Sequence, residues 1–139
     1  MTGRLRGDLR GATALEFAIV FPVFLLFVFG LFAGYSLISC RRAMDYGIEK
    51  ALRYAIVHGG GGSSGVSSAY AAAATVIWPD VGASSVVSVT PSSFKSGDTV
   101  VVSVTYGWAP PAGLTGSVNN GLFNAVTLSA TGSMRVMSP

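Results

Sequence analysis

The stretch FAIVFPVFLLFVFGLFAGYSLI, residues 17–38, decides the architecture of this chain. It contains 22 consecutive residues without a charged side chain. An α-helix rises about 1.5 Å per residue, so the stretch spans about 33 Å, which is enough to cross a hydrocarbon core of about 30 Å. The sequence therefore predicts one membrane-spanning helix near the N-terminus and a single-pass membrane protein.

Three residues inside this stretch bear on how the helix packs. Pro22 removes one backbone hydrogen bond and predicts a kink. Gly30 and Gly34 are four residues apart, a spacing that lets another helix approach closely, although the same spacing also arises by chance in apolar spans. We assign Pro22, Gly30 and Gly34 to helix packing and assembly.

Composition excludes several classes of function. Only 11% of the 139 residues are charged, against about 25% in an ordinary soluble domain. The basic residues flank the apolar run instead of forming a patch with aromatic or helical readers, so nucleic acid is not an expected partner. With one cysteine, Cys40, and one histidine, His58, the sequence offers no catalytic set and too few ligands for a zinc site. We expect no enzyme activity, no cofactor, no metal and no small-molecule substrate.

The orientation in the membrane follows only weakly from charge. Three arginines precede the span, and two arginines plus two further basic residues follow it, which is nearly a tie under the positive-inside rule. The C-terminal part is rich in Ser, Thr and Gly and has a β pattern typical of secreted modules. We therefore expect a cytoplasmic N-terminus and an extracytoplasmic C-terminal domain.

Two cleaved leaders are alternatives to a permanent anchor. A signal peptide also combines a basic start with an apolar run, but this run exceeds the usual length of about 7–15 residues. Residues 37–40 resemble a lipobox, in which Cys40 would be lipidated after cleavage. Against the lipobox, Arg41 and Arg42 follow at once and the apolar run is long.

The residues before the span carry a family resemblance. In Arg10-Gly11-Ala12-Thr13-Ala14-Leu15-Glu16-Phe17 a basic leader ends in glycine, and a lone glutamate falls five residues later, directly before the apolar run. This arrangement resembles the processing site of type IV pilin-like precursors. Its Glu-Phe variant resembles that of the tight-adherence (Tad, or Flp) pilus system.

The resemblance extends along the chain. Residues 11–22, with the proline inside the span, are similar to the opening of TadE-like proteins, and residues 51–55 and 129–136 resemble later segments of that family. It implies a minor pilin or pseudopilin of the bacterial inner membrane, which is a structural component of pilus biogenesis. Incorporation into a surface pilus is a further implication of the resemblance. The implied partners are the membrane, a prepilin peptidase, other pilin-like subunits and the pilus assembly platform.

The resemblance also implies roles for four residues. The peptidase would cut between Gly11 and Ala12, with Glu16 and Phe17 completing the processing site. Glu16 would then be the fifth residue of the mature chain and pair with the α-amine of a neighbouring subunit. Independently of the family, a carboxylate at the edge of a span is costly unless it is paired or at the interface, and the start of a helix favours it.

Two alternatives stay open at this point. One is a bitopic accessory protein of a secretion system that does not enter a filament. The other is a lipid-anchored secreted binding domain whose leader is removed at Cys40.

The helix is expected to continue beyond the membrane as an amphipathic stalk to residue 58. Its apolar and charged faces are given by residues at helical spacing: Met44, Ile48, Leu52, Ala55 and Ile56 on one, and Arg42, Asp45, Glu49 and Arg53 on the other. The expected organisation is a leader at 1–11, a transmembrane and stalk helix at 12–58, a Gly/Ser hinge at 59–66 and a small α/β domain at 67–139.

The distal domain is predicted to be a short helix followed by a small antiparallel sheet, so the fold class is α+β. Ser67 or Ser68 would cap the helix, which runs to Ile77 and is stopped by Pro79. Three segments alternate with period two, and their apolar positions are Val87 and Val89, then Val100, Val102, Val104 and Tyr106, then Val126, Leu128, Ala130, Met134 and Val136.

The connection at residues 107–122 is long for a hairpin and apolar. It carries Trp108, Leu114 and Leu122. A loop of this kind is often a binding element, so these residues form a candidate partner loop. The alternative is that the loop folds back over the sheet.

Overall fold

The computed structural model describes residues 8–58, 62–109 and 126–137. The elements are the helices α1 (Asp8–Val57), α2 (Ser63–Ile77) and α3 (Pro79–Ser84) and the strands β1 (Val86–Thr90), β2 (Thr99–Trp108) and β3 (Val126–Arg135). The strands form one antiparallel sheet in the order β1-β2-β3. The predicted α+β class is confirmed: a long N-terminal helix precedes short helices and a small antiparallel sheet.

The chain divides into two compact units, Met1–Tyr35 and Ser36–Pro139. The described part of the first unit is the N-terminal part of α1. The second unit contains the rest of α1, the two short helices and the sheet.

In the second unit, α1 buries a continuous stripe at helical spacing, which consists of Cys40, Ala43, Met44, Ile48, Ala51, Leu52 and Ala55. The predicted apolar face is thus confirmed except at Ile56, which is only half-buried. The predicted charged face is exposed, and on it Glu49 and Arg53 form an ion pair one turn apart. This stripe makes the outer half of α1 part of the domain core.

Contacts at two glycines show what covers this stripe. A Cβ on Gly47 of α1 would lie 2.7 Å from the ring of Tyr70 in α2. A Cβ on Gly132 of β3 would collide with the Ile48 side chain and lie 3.1 Å from Leu52. Helix α1 therefore packs against both α2 and the sheet, and glycine lets the backbones approach.

Helix α2 begins earlier than the sequence predicts. It starts at Ser63 with Gly62 as N-cap, so residues 63–66 of the expected hinge are helical. The amide of Ser63 donates to the Ser92 carbonyl (2.9 Å), which gives one orphan amide of the first turn a partner in the β1–β2 connection. Ser67 and Ser68 do not cap the helix; both hydroxyls donate to the carbonyl of Ser64. Residues 59–61 lie outside the described part of the chain.

The sequence also missed α3. Pro79 ends α2, but it is at the same time in the first turn of a new helix, where its missing N–H costs nothing. Trp78 is the C-cap of α2 and the N-cap of α3. A Cβ on Gly82 would lie 2.7 Å from the carbonyl oxygen of Ala71, so α3 packs closely on α2.

The predicted alternation of the central strand is confirmed. Val100, Val102 and Val104 are fully buried and Tyr106 is nearly so, whereas Ser103 is half-buried and Thr105 exposed. On β1, Val87 and Val89 are half-buried between exposed neighbours, as expected.

The apolar face of β3 is confirmed only in its middle and just beyond its end. Leu128 and Val136 are buried and Ala130 is half-buried, but Val126 and Met134 are 41% and 38% exposed, against the prediction. Both residues lie towards the ends of β3, which is an edge strand with β2 as its neighbour on one side and none of the described strands on the other. Alternation predicts the direction of a side chain but not whether another element covers it.

Strand β2 extends to Trp108, which pairs with Val126 and is buried. Trp108 is therefore a core residue of the sheet, and its assignment to the long connection was wrong. Leu114 and Leu122 lie outside the described residues.

The β1–β2 connection adds a core residue that the sequence analysis did not single out. Phe94 is fully buried. Gly97, at φ +96°, donates its amide to the Val136 carbonyl (2.8 Å), and the amide of Val136 donates to the Asp98 carbonyl (2.8 Å). These bonds attach the connection to the end of β3.

Candidate assembly helix

The predicted processing residues all fall on α1. Gly11 and Ala12 lie within its bounds, and the side chains of Glu16 and Phe17 are exposed. The ring of Phe17 stacks on that of Phe21 one turn later, with centroids 5.3 Å apart. An exposed carboxylate directly before an apolar surface is accessible to a partner.

The predicted packing residues lie on the same helix. Helix α1 is assigned as one element through Pro22. A Cβ on Gly30 or Gly34 would meet no described atom within 4 Å. The two glycines therefore leave two shallow positions on the helix surface, four residues apart, where another helix could approach.

The N-terminal part of α1 presents large apolar side chains to its surroundings. From Leu15 to Phe32 twelve of them are exposed: Leu15, Phe17, Ile19, Val20, Phe21, Val23, Phe24, Leu26, Phe27, Phe29, Leu31 and Phe32. The most apolar 18-residue window of the helix has a mean hydropathy of 2.6 and is 6% buried. A water-soluble monomer rarely leaves such a surface open. The helix is long and apolar enough to cross a membrane, and it fits a single-pass membrane protein.

Cys40 and His58 each make contacts within the fold. Cys40 is fully buried; burial raises the pKa of its thiol, and the nearby Asp80 carboxylate raises it further. The ring of His58 stacks on Tyr54 at 4.1 Å at the end of α1. Within the described ranges, no three His, Cys, Asp or Glu side chains are grouped so that they could hold a metal ion.

Taken together, these features fit a single-pass membrane protein whose N-terminal helix exposes an apolar surface. Comparison with known families then gives a match: residues 11–53 match the model of the TadE-like protein family. The predicted resemblance is thus confirmed over the segment that begins at Gly11 and includes Glu16, the apolar run and most of the stalk. No curated protein and no solved structure matches the chain.

The match over residues 11–53 supports a functional class at a coarse level. A TadE-like segment supports a protein associated with the tight-adherence pilus, and the family is one of pilus structural components rather than of enzymes. The matched residues end within α1, before α2 and the sheet.

Sequence reasoning missed the packing role of several small residues. Ala43, Gly47 and Ala51 recur every four residues on α1 and are all buried, and Gly47 lies against Tyr70 of α2. Their spacing was visible in the sequence, since residues at i and i+4 lie on the same face of a helix. The identity of the element that packs on this face was not visible, because it depends on residues far along the chain.

Proposed function

We propose that this protein is a TadE-like minor pilin or pseudopilin of the tight-adherence pilus. A prepilin peptidase cuts it between Gly11 and Ala12, and it acts as a structural subunit in pilus biogenesis. The observation that carries the proposal is the family match over residues 11–53, which starts at the glycine of the processing motif.

The exposed surface of α1 supports an assembly role. Glu16 is exposed at the start of the apolar surface, where the carboxylate can pair with the α-amine that cleavage creates on Ala12 of a neighbouring subunit. Removing one partner of a desolvated charge pair costs on the order of 2–5 kcal/mol of association. Gly30 and Gly34, which carry no side chain, provide the closest approach for the helix of that neighbour.

The proposed location is the bacterial inner membrane, with the N-terminus in the cytoplasm and the second unit in the periplasm. The proposed partners are the prepilin peptidase, other pilin-like subunits and the assembly platform. Incorporation into a surface pilus, and thereby a part in adhesion, follows from the same role.

The two alternatives differ in the mature N-terminus. A bitopic accessory protein would keep residues 1–11, and a lipid-anchored domain would lose residues 1–39. Cys40 is fully buried in the middle of α1, which counts against a cut at this residue. The mass of the protein purified from a bacterium with the pilus system separates the three cases, and retention of residues 1–11 would contradict the proposal.

Substitution of Gly11 tests processing. Gly11→Val should leave an uncut precursor. A peptidase that cuts beside Gly11 needs a residue without a side chain at this position, and the branched side chain of valine would not fit. The precursor keeps Arg4, Arg6, Arg10 and Asp8, so its net charge stays at +3, whereas loss of three positive charges and one negative charge leaves the mature chain at +1. Intact-protein mass spectrometry distinguishes the precursor from the mature chain by their masses. Normal cleavage of Gly11→Val would contradict the proposed site.

Substitution of Glu16 tests assembly separately. Glu16→Ala and Glu16→Gln should both be cut and inserted in the membrane, but they should co-purify with pilin-like partners several-fold less than the wild type. Glu49→Ala is the matched control, since Glu49 is an exposed carboxylate on α1 beyond the span. If Glu16→Ala and Glu49→Ala retain partners equally well, the carboxylate of Glu16 has no assembly role.

A further inference from the structure

Helix α2 runs antiparallel to the outer half of α1, and two contacts define the register. A Cβ on Gly65 would lie 2.8 Å from the Tyr54 ring, and a Cβ on Gly47 would lie 2.7 Å from Tyr70 and 3.2 Å from Ala74. Residue numbers therefore fall along α1 as they rise along α2. Continuing this register places the last turn of α2 level with residues 41–43 of α1.

The position of the start of α3 agrees with this register and places it near Cys40 of α1. Beyond the effect of burial, Asp80 raises the pKa of Cys40, and Cys40 and Asp80 both raise the pKa of Tyr106. Asp80, three residues after α2 ends, therefore lies near Cys40. The C-terminal turn of α2 and the start of α3 thus lie at the end of the second unit where the apolar run finishes.

The depth of this end follows from helix geometry. The uncharged run ends at Ile38, and Arg42 comes four residues, or about 6 Å, further along the helix axis. The headgroup layer on each side of a bilayer is about 5–7 Å thick, which is half the difference between the total thickness and the hydrocarbon core. If α1 crosses the membrane through this run, the last turn of α2 falls at the depth of the headgroups.

The side chains at this level suit that layer. Val76 is 80% and Ile77 41% exposed at the end of α2, and Trp78, which follows them, is half-buried. Tryptophan is enriched at membrane interfaces because its ring is apolar and its N–H is a donor. Exposed Arg41 and Arg42 lie at the same level on α1 and can bind lipid phosphates.

We propose that this proximal end, formed by Val76, Ile77 and Trp78 together with Arg41 and Arg42, rests in the lipid headgroup layer of the membrane that α1 enters. The occupant of the exposed apolar turn is lipid, because the anchor of the same chain holds the turn at that depth and the neighbouring arginines complement anionic phosphates. The acidic groups nearest this end, Asp45 and Asp80, are exposed, so their carboxylates can be hydrated by the water of the headgroup layer. This contact would hold the proximal end at the membrane surface independently of any role in a pilus.

The test uses the full chain in vesicles of phosphatidylethanolamine and phosphatidylglycerol. Val76→Cys and Val57→Cys, each in a Cys40→Ala background, are labelled with a nitroxide. Val57 is the matched control: it is an apolar residue, 77% exposed, at the far end of α1. We expect the label at position 76 to collide more with oxygen than with a water-soluble nickel chelate, and the label at position 57 to show the reverse.

Three outcomes would overturn the proposal. One is equal exposure of both labels to the chelate. Another is spin–spin broadening at position 76 that persists when lipid is in large excess, which would identify a second copy as the occupant. The third is equally low accessibility at position 76 to oxygen and to chelate in both vesicles and detergent, which would show cover by protein.

A second measurement avoids any damage from the cysteine variants. Trp78 and Trp108 are the two tryptophans of the chain, so Trp108→Phe leaves Trp78 as the sole tryptophan, whose fluorescence is excited selectively at wavelengths that tyrosine does not absorb. Lipids brominated near the headgroup should quench its fluorescence several-fold more than a water-soluble quencher does. Quenching by the aqueous reagent alone would contradict the headgroup contact.

Discussion

At the scale of single residues, the two faces of β2 differ sharply in their tolerance of charge. Val102 is fully buried and pairs with Val89 and Gly132, whereas its neighbour Ser103 points to the other face and is half-buried. An unpaired carboxylate at position 102 would have neither solvent nor a partner, so its burial would be costly.

We therefore expect Val102→Asp to lower the free energy of unfolding by about 3 kcal/mol or more, and Ser103→Asp by less than about 1 kcal/mol. Thermal unfolding of the full chain in detergent, followed by circular dichroism, measures both. The outer half of α1 belongs to the core, so the measurement requires the full chain. Similar small effects for the two variants would show that the faces are wrongly assigned.

A buried tyrosine predicts how stability depends on pH. Burial raises the pKa of Tyr70 above its ordinary value of 10.0, and the hydrogen bond from its hydroxyl to Ser85 (3.2 Å) partly offsets the increase. The folded state therefore holds this proton more tightly than the unfolded state. The resulting stability is present below pH 10 and is lost as the pH rises through the higher folded value.

Accordingly, the free energy of unfolding should fall with rising pH above about pH 10. Tyr70→Phe has no group to ionise, so it should be less stable at neutral pH but show a shallower fall. Denaturant titrations at about pH 8 and at about pH 11 measure the two slopes. Identical slopes for the variant and the wild type would mean that Tyr70 does not contribute to the dependence.

At the scale of elements, the junction between β3 and α1 depends on a glycine. A Cβ on Gly132 would collide with the Cγ2 of Ile48, a β-branched atom close to the helix backbone that cannot swing away freely. Gly107 of β2 is the natural comparison, because a Cβ there would meet no described atom within 4 Å.

We expect Gly132→Ala to destabilise the protein by about 1–3 kcal/mol through overpacking, and Gly107→Ala to be neutral or slightly stabilising. Adding Ile48→Ala to Gly132→Ala should cost less than the sum of the single changes, since the cavity accepts the new methyl group. Chemical denaturation of the four variants gives the coupling. Strict additivity would indicate that the two elements do not meet at Gly132.

At the scale of the whole molecule, orientation in the membrane is the property that every functional proposal requires. The arginines on the two sides of the span nearly balance, so charge alone does not decide the topology. A periplasmic reporter fused after Pro139 should be active and a cytoplasmic reporter at the same position inactive. A reporter before Gly11 should show the opposite. A cytoplasmic C-terminus would exclude the pilin proposal.

The sequence by itself determined those features that repeat locally. The uncharged run marks the membrane helix, the spacing of Met44, Ile48 and Leu52 marks the face that α1 buries, and the alternation of Val100, Val102 and Val104 marks the core face of β2. In each case one periodic segment contains the whole signal, because amphipathic periodicity follows from the geometry of the helix or strand itself. The proposed processing motif at Gly11 and Glu16 is likewise a local pattern.

Only the tertiary structure decided the features that depend on distant partners. The α2 helix begins at Ser63 because the Ser92 carbonyl, far along the chain, accepts from its amide. Trp108 belongs to the sheet because Val126 pairs with it across the long connection. Phe94 is buried although nothing around it in the sequence is periodic, and Met134 is exposed although it is in phase. In each case the surroundings of the residue depend on residues that are remote in the sequence. A local sequence pattern therefore cannot predict them.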